Sequence, residues 1–149
     1  MELNKMALEM IEAHPFIGVG INSYTTAGQE YNFFNYYKAA FNLPPVVHNI
    51  YLLIASEIGV PGLIAFLAFI FLLLRQALRG LKSDADPVLS ILLVGFAAGM
   101  LGYLVEELWG ASLRKMEIAY LFWWQAGVVI LLSRASLAKK ASRQEHTED

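Results

Sequence analysis

The chain has 149 residues, of which 57% are hydrophobic and 16% charged, with mean hydropathy +0.49 and a net charge of −2. A soluble domain carries about 45–50% apolar and about 25% charged residues. A chain this short and this apolar fits one domain, but it lacks the polar residues to cover a water-facing surface and points to a lipid-facing one. The charge balance and a pI near 5.9 exclude the basic footprint of a nucleic-acid binder, and zero cysteines exclude a disulfide scaffold, a thiolate metal site and a cysteine nucleophile.

Along the chain, Leu3, Met6, Ala7, Met10 and Ile11 fall at helical spacing and predict an amphipathic helix over residues 1–13. Residues 14–24 (HPFIGVGINSY) form a turn region punctuated by Pro and Gly. Residues 31–41 (YNFFNYYKAAF) are dense in aromatics and suit a second amphipathic helix at the headgroup level. Pro44 and Pro45 break the chain before His48.

Three apolar runs follow. Residues 58–74 carry no charge, and the run extends back to Ile50 with only Glu57 interrupting it. Residues 88–105 are 18 positions without a charge, and residues 118–132 are 15 more. A membrane helix needs roughly 17–25 apolar residues, so the first two runs span. The third is short and is expected to start within residues 114–117, with long side chains reaching the interface. By itself it also fits a soluble core helix; its two neighbours favour a span. Pro61, flanked by Gly59 and Gly62, should kink or unwind the first span. Residues 133–149 read as a frayed tail. The expected organisation is an exported segment at 1–48, a membrane region at 49–132 and a tail at 133–149.

Orientation follows from the basic residues. Arg75, Arg79 and Lys82 lie between the first two spans, and Arg134, Lys139, Lys140 and Arg143 follow the third, seven of the 11 in all. Short basic loops stay cytoplasmic, so the C-terminus is expected in the cytoplasm and residues 1–48 and 106–117 on the outer face. Residues 1–48 contain no signal-peptide pattern. The expectation is therefore that earlier spans of a longer polytopic protein deliver them.

Several residues are candidates for chemistry. His48 stands at the start of the first span on the outer face, where an imidazole can take a proton from a hydroxyl near neutral pH; an interfacial histidine bonded to a headgroup or to the backbone is the plainer alternative. Glu57 lies two and a half turns further on, where a carboxylate is costly without a partner. A structural hydrogen bond to a neighbouring helix, or to backbone freed near residues 59–62, is favoured over proton transfer. Glu106, Glu107, Arg114 and Lys115 cluster in the second exported loop. Arg114 can grip a phosphate bidentately, although a solvated hairpin is the simpler reading. Trp109, Tyr120, Trp123 and Trp124 suit interface anchors. Gly18-Val19-Gly20 lacks the third glycine and the preceding strand of a nucleotide loop, and His14 and His146 make no metal-ligand spacing with His48.

Two strings taken together, AHPFIGVGINSY (13–24) and VHNIYLLIASEIGVPGLIAFL (47–67), resemble the bacterial O-antigen ligase and polymerase superfamily. The matching residues are His14, Pro15, Gly18 and Gly20 in the turn that closes a large periplasmic loop, then His48, Asn49, Leu52, Glu57, Gly59 and Gly62 opening the next membrane helix. The resemblance implies an all-α polytopic inner-membrane glycosyltransferase, part of a GT-C-like helical fold. Such an enzyme moves a glycan from undecaprenyl diphosphate to lipid A-core or to another carrier-linked repeat, without nucleotide sugar or metal cofactor. The family's proposed catalytic histidine maps to His48. Asn49, Arg114 and Lys115 are the expected substrate-binding residues, and His14, Pro15, Gly18, Gly20, Glu57, Gly59 and Gly62 the structural ones. Full members have many more spans, with diphosphate-binding arginines in earlier exported loops, so this portion alone is expected to be inactive and to need those upstream helices. The competing readings are a non-catalytic membrane module and a transporter or flippase fragment in which Glu57 marks a substrate path.

Overall fold

The computed structural model describes residues 2–30, 35, 38–39, 46–83 and 86–148. Among them there is no strand. The elements are α1 (Glu2–Ala13), the single turn α2 (Tyr24–Ala27) continued by a 3-10 turn at Gly28–Glu30, α3 (Ile50–Leu81), α4 (Pro87–Glu106), a 3-10 turn at Ser112–Arg114 and α5 (Met116–Glu148). The aromatic stretch 31–41 lies largely, and the Pro44–Pro45 break wholly, outside the described residues.

Three helices, α3, α4 and α5, are long and apolar enough to cross a membrane. The 20 residues of α4 reach about 30 Å at 1.5 Å per residue, the thickness of the hydrocarbon core. Pro87 occupies the first turn of α4, where its missing N–H costs nothing. The Asp86 carboxylate accepts the Val88 N–H at 2.8 Å as the helix cap. Lys139 bonds the same carboxylate, and this contact, followed by the Val88 bond, holds the Asp86 carboxyl below the usual carboxylate range.

The expected break in the first span is present, two residues before Pro61. Gly59 has φ 78° and ψ 172°, and α3 is two helical pieces joined there. The second piece, residues 60–81, is about 33 Å long and matches the core thickness unaided.

The tail departs from expectation. α5 continues without interruption through residue 133 to Glu148, and Ser133 and Ser136 are fully buried. The mixed small and charged residues after Leu132 are good helix formers, and packing of the two serines carries the helix past the apolar run.

Contacts divide the chain into two units, Met1–Leu67 with Val105–Arg114, and Ala68–Leu104 with Lys115–Asp149. The core of the first is Met6, Ala7 and Met10 of α1 with Tyr24, Val47, Ile50 and Leu53. Tyr24 is wholly buried, and its hydroxyl donates to the Leu3 carbonyl at 3.2 Å. Burial raises the Tyr24 phenol far above its ordinary range, and the charge of Arg114 offsets part of that rise.

In the second unit, helices meet through aromatic pairs and one polar knot. Phe69 packs on Trp123 with ring centroids 5.3 Å apart, and Phe96 on Trp124 at 5.9 Å. The Gly80 carbonyl accepts from Ser83 Oγ at 2.7 Å and Ser136 Oγ at 2.9 Å, and a Cβ at Gly80 would lie 2.8 Å from the Ser133 Cα. Gly80 therefore sets how closely α3 and α5 approach.

Candidate functional site

A proline inside a helix leaves carbonyls unpaired. In an unbroken helix the Val60 N–H would serve the Ser56 carbonyl, and residue 61 would serve Glu57. Pro61 has no N–H, and the turn at Gly59 points the Val60 N–H elsewhere. The loop at residues 14–24 fills these vacancies. Val19 N–H donates to the Ser56 carbonyl at 2.8 Å, Gly20 N–H to the Glu57 carbonyl at 2.9 Å, and Val60 N–H to the Pro15 carbonyl at 2.8 Å. The two sequence strings thus bind each other main chain to main chain.

Glycine is required at both faces of this contact. Gly18 has φ 68°, and a Cβ there would strike the Glu57 carbonyl and stand 2.6 Å from the Ile58 nitrogen. A Cβ on Gly59 would strike the Phe16–Ile17 peptide, 2.9 Å from the Ile17 nitrogen. Gly62 is less demanding, because a Cβ there meets only the Ile58 side chain.

The Glu57 side chain completes the joint. One carboxylate oxygen accepts the Asn22 N–H at 2.9 Å and the other the Tyr24 N–H at 3.1 Å, the latter at the start of α2. The partner of Glu57 is the backbone of the loop, where a neighbouring helix or the backbone near residues 59–62 was expected. Asn22 sits at φ 58°, a left-handed position that asparagine tolerates better than most residues.

His48 is exposed immediately before α3. Asn49 caps that helix: its Oδ1 accepts the Leu52 N–H at 2.9 Å, and its Nδ2 donates to the Leu108 carbonyl at 2.9 Å. Ile50 N–H donates to the Glu107 carbonyl at 3.1 Å. The start of α3 is therefore anchored to the turn that ends α4. The amide of Asn49, expected to bind substrate, is engaged through both of its polar atoms in holding this helix start.

That turn holds a residue of the expected exported cluster whose burial the sequence did not signal. Glu107 is fully buried, and its Oε1 accepts the Leu113 N–H at 2.9 Å. Glu106 is exposed and accepts from Ser112 Oγ at 3.3 Å. The expected solvated hairpin is thus half correct. Nothing in a Glu-Glu pair distinguishes the two; the side each faces is set by the helix end at Glu106.

The remaining candidates are less closely joined. His14 is exposed just after α1, and its carbonyl accepts the Gly18 N–H at 3.0 Å, closing the loop. Arg114 is exposed in the first unit and makes no hydrogen bond to His48 or Asn49 among the described residues. Lys115 is exposed and belongs to the second unit. Trp109 is 74% exposed and Tyr120 69%, as interface anchors should be.

No match is found among curated proteins or solved structures. Residues 1–67 match the family model described as O-antigen ligase, a stretch that ends where the N-terminal segment of the first unit ends. With its three membrane-length helices, the chain is a multi-pass membrane protein, and residues 1–67, less than half of it, are similar to the O-antigen ligase family.

Proposed function

We propose that the first unit is the acceptor-activating part of a membrane glycosyltransferase, with His48 as the general base. An acceptor hydroxyl attacks the anomeric carbon of a glycan carried on undecaprenyl diphosphate. The bond from that carbon to the diphosphate oxygen breaks, the electron pair leaves with the diphosphate, and the hydroxyl proton passes to the His48 imidazole. Arg114 offers positive charge to the departing diphosphate. Asn49 positions His48 by capping α3, and its second amide hydrogen is open to a substrate oxygen. The acceptor is lipid A-core or another glycan repeat. The reading invokes neither nucleotide sugar nor metal.

In this reading residues 1–48 and 106–117 face outward from the cytoplasmic membrane, and the basic ends of α3 and α5 face the cytoplasm. The supporting observation is the placement of His48. It is exposed at the mouth of a helix whose start and break are both fixed by hydrogen bonds, within the segment that matches the O-antigen ligases.

The test replaces His48 with alanine at the native locus and follows glycan transfer from the lipid carrier. Loss of a general base lowers transfer about 10²–10⁴-fold at unchanged protein level. Undiminished transfer would remove the base role and favour a non-catalytic membrane module.

A further inference from the structure

The second unit carries a groove unconnected with the proposed chemistry. It is lined by Phe69, Leu72, Leu73 and Gln76 of α3 and by Ile130 and Arg134 of α5. The first four fall at i, i+3, i+4 and i+7, and the last two at i, i+4, so each helix offers one face to it. Gly80 lies against Ser133, Ser83 against Ser136 and Phe69 against Trp123, so α3 and α5 run parallel in this region. Gln76 and Arg134 therefore lie at the same end, and Phe69 lies nearer the middle of the span.

The groove is apolar along its length and polar only at that end. Helical side chains lean toward the N-terminus of their own helix, so Arg134 leans back over Ile130 toward the level of Gln76. Arg134 is exposed and makes no ion pair among the described residues. Arg75, Arg79 and Lys82 are exposed on the same end of α3 and raise the local positive potential. At about 250 Å³ the groove is smaller than the roughly 300–1,000 Å³ of an enclosed ligand pocket, so it holds part of a molecule rather than a whole one. A cationic and amide-bearing rim over an apolar trough is complementary to an anionic headgroup followed by an acyl chain.

We propose that this groove is a binding site for an anionic phospholipid of the leaflet at the basic end. The Arg134 guanidinium and the Gln76 amide take the headgroup phosphate, and the first part of an acyl chain lies along Leu72, Leu73, Phe69 and Ile130. The site is independent of the glycosyltransferase reading and stands or falls without it.

The test uses the 149-residue chain purified from membranes and equilibrated with mixed phosphatidylglycerol and phosphatidylcholine, with retained lipid read by native mass spectrometry. The chain retains phosphatidylglycerol in preference to phosphatidylcholine. Arg134→Gln lowers that retention at least fivefold. Leu72→Trp, which fills the trough from an exposed position without changing charge, does the same. Lys140→Gln removes one charge from the same end outside the groove and changes retention less than twofold. Circular dichroism confirms equal helicity in all variants. Equal losses from Arg134→Gln and Lys140→Gln would overturn the site in favour of diffuse surface charge. So would indifference to the headgroup, retention unaffected by Leu72→Trp, or full displacement by inorganic phosphate.

Discussion

The two units solve the problem of a helix in lipid differently. In the first, α3 is broken at Gly59, and the broken backbone is repaired by a loop 33–45 positions earlier in the chain. Among the contacts described are three main-chain bonds and two bonds to the Glu57 carboxylate. In the second, the helices are unbroken and meet through aromatic rings and small residues, with one serine knot at Gly80. Irregular backbone at membrane depth is tolerated only where protein satisfies its polar groups. The difference teaches where specificity lies. The first unit depends on particular N–H groups and two glycines, whereas the second depends on close packing that tolerates conservative change.

The sharpest way to break this contrast is Gly18→Val. It places a branched side chain at φ 68° and into the Glu57 backbone. Strain of about 1–3 kcal/mol adds to overpacking of about 1–3 kcal/mol, so the loop detaches. Limited proteolysis should cut within residues 14–24 while the 116–148 helix stays protected. Resistance equal to the parent would show that the joint is not the source of order in this unit.

Glu57→Gln should have the next largest effect. The amide keeps one acceptor oxygen where the carboxylate offered two charged ones. Hydrogen bonds to charged groups contribute about 1.5–3 kcal/mol, and losing part of that lowers the thermal midpoint and protein level. Transfer activity per folded molecule should change little. A large activity loss at normal protein level would make Glu57 part of the chemistry.

Gly80→Ala tests the second unit. The added methyl meets Leu93 and the Ser133 backbone, at about 1–3 kcal/mol of overpacking, offset by about 1 kcal/mol of helix propensity. The helices should shift apart without local unfolding, so the Phe69–Trp123 contact, read by tryptophan fluorescence, moves while protease resistance holds.

The smallest effect concerns pH. The Asp86 carboxyl titrates below its ordinary value because Lys139 and the Val88 N–H favour its charged form. Its stabilisation of the α4 start is therefore fully present above the unfolded value near 3.9 and is lost as pH falls through the lower folded value. Protection of the Val88 amide, its exchange relative to the intrinsic rate at each pH, should fall only below about pH 4. Lys139→Gln should move that onset upward; an unchanged onset would assign the shift to the cap alone.

Much of this was legible from residues alone, for reasons that differ by feature. The three spans follow from local apolar runs, and the break follows from Pro61 beside two glycines, because a missing N–H acts on its own helix whatever surrounds it. That Glu57 has a partner was legible from the cost of an unpaired carboxylate. The order and spacing of the two motifs were legible through the family resemblance, but not that they bind each other. Asn22, two residues past Gly20, carried a weak signal as a left-handed-tolerant residue next to the motif. The length of α5 was misread because small and charged residues after an apolar run look like a tail until Ser133 and Ser136 are seen to be buried.

The sequence by itself determined the number of membrane-length helices and the place of the break beside Pro61. Hydrophobicity, helix length and proline's missing donor are local properties that sum along the chain. Only the tertiary structure decided which groups repair the break, that Asn49 reaches Leu108 across 59 positions, that Glu107 turns inward while Glu106 turns out, and that Arg134 closes one end of an apolar groove. Those outcomes depend on which distant N–H or side chain the fold brings to an unsatisfied group or an open face, and no local pattern encodes that meeting.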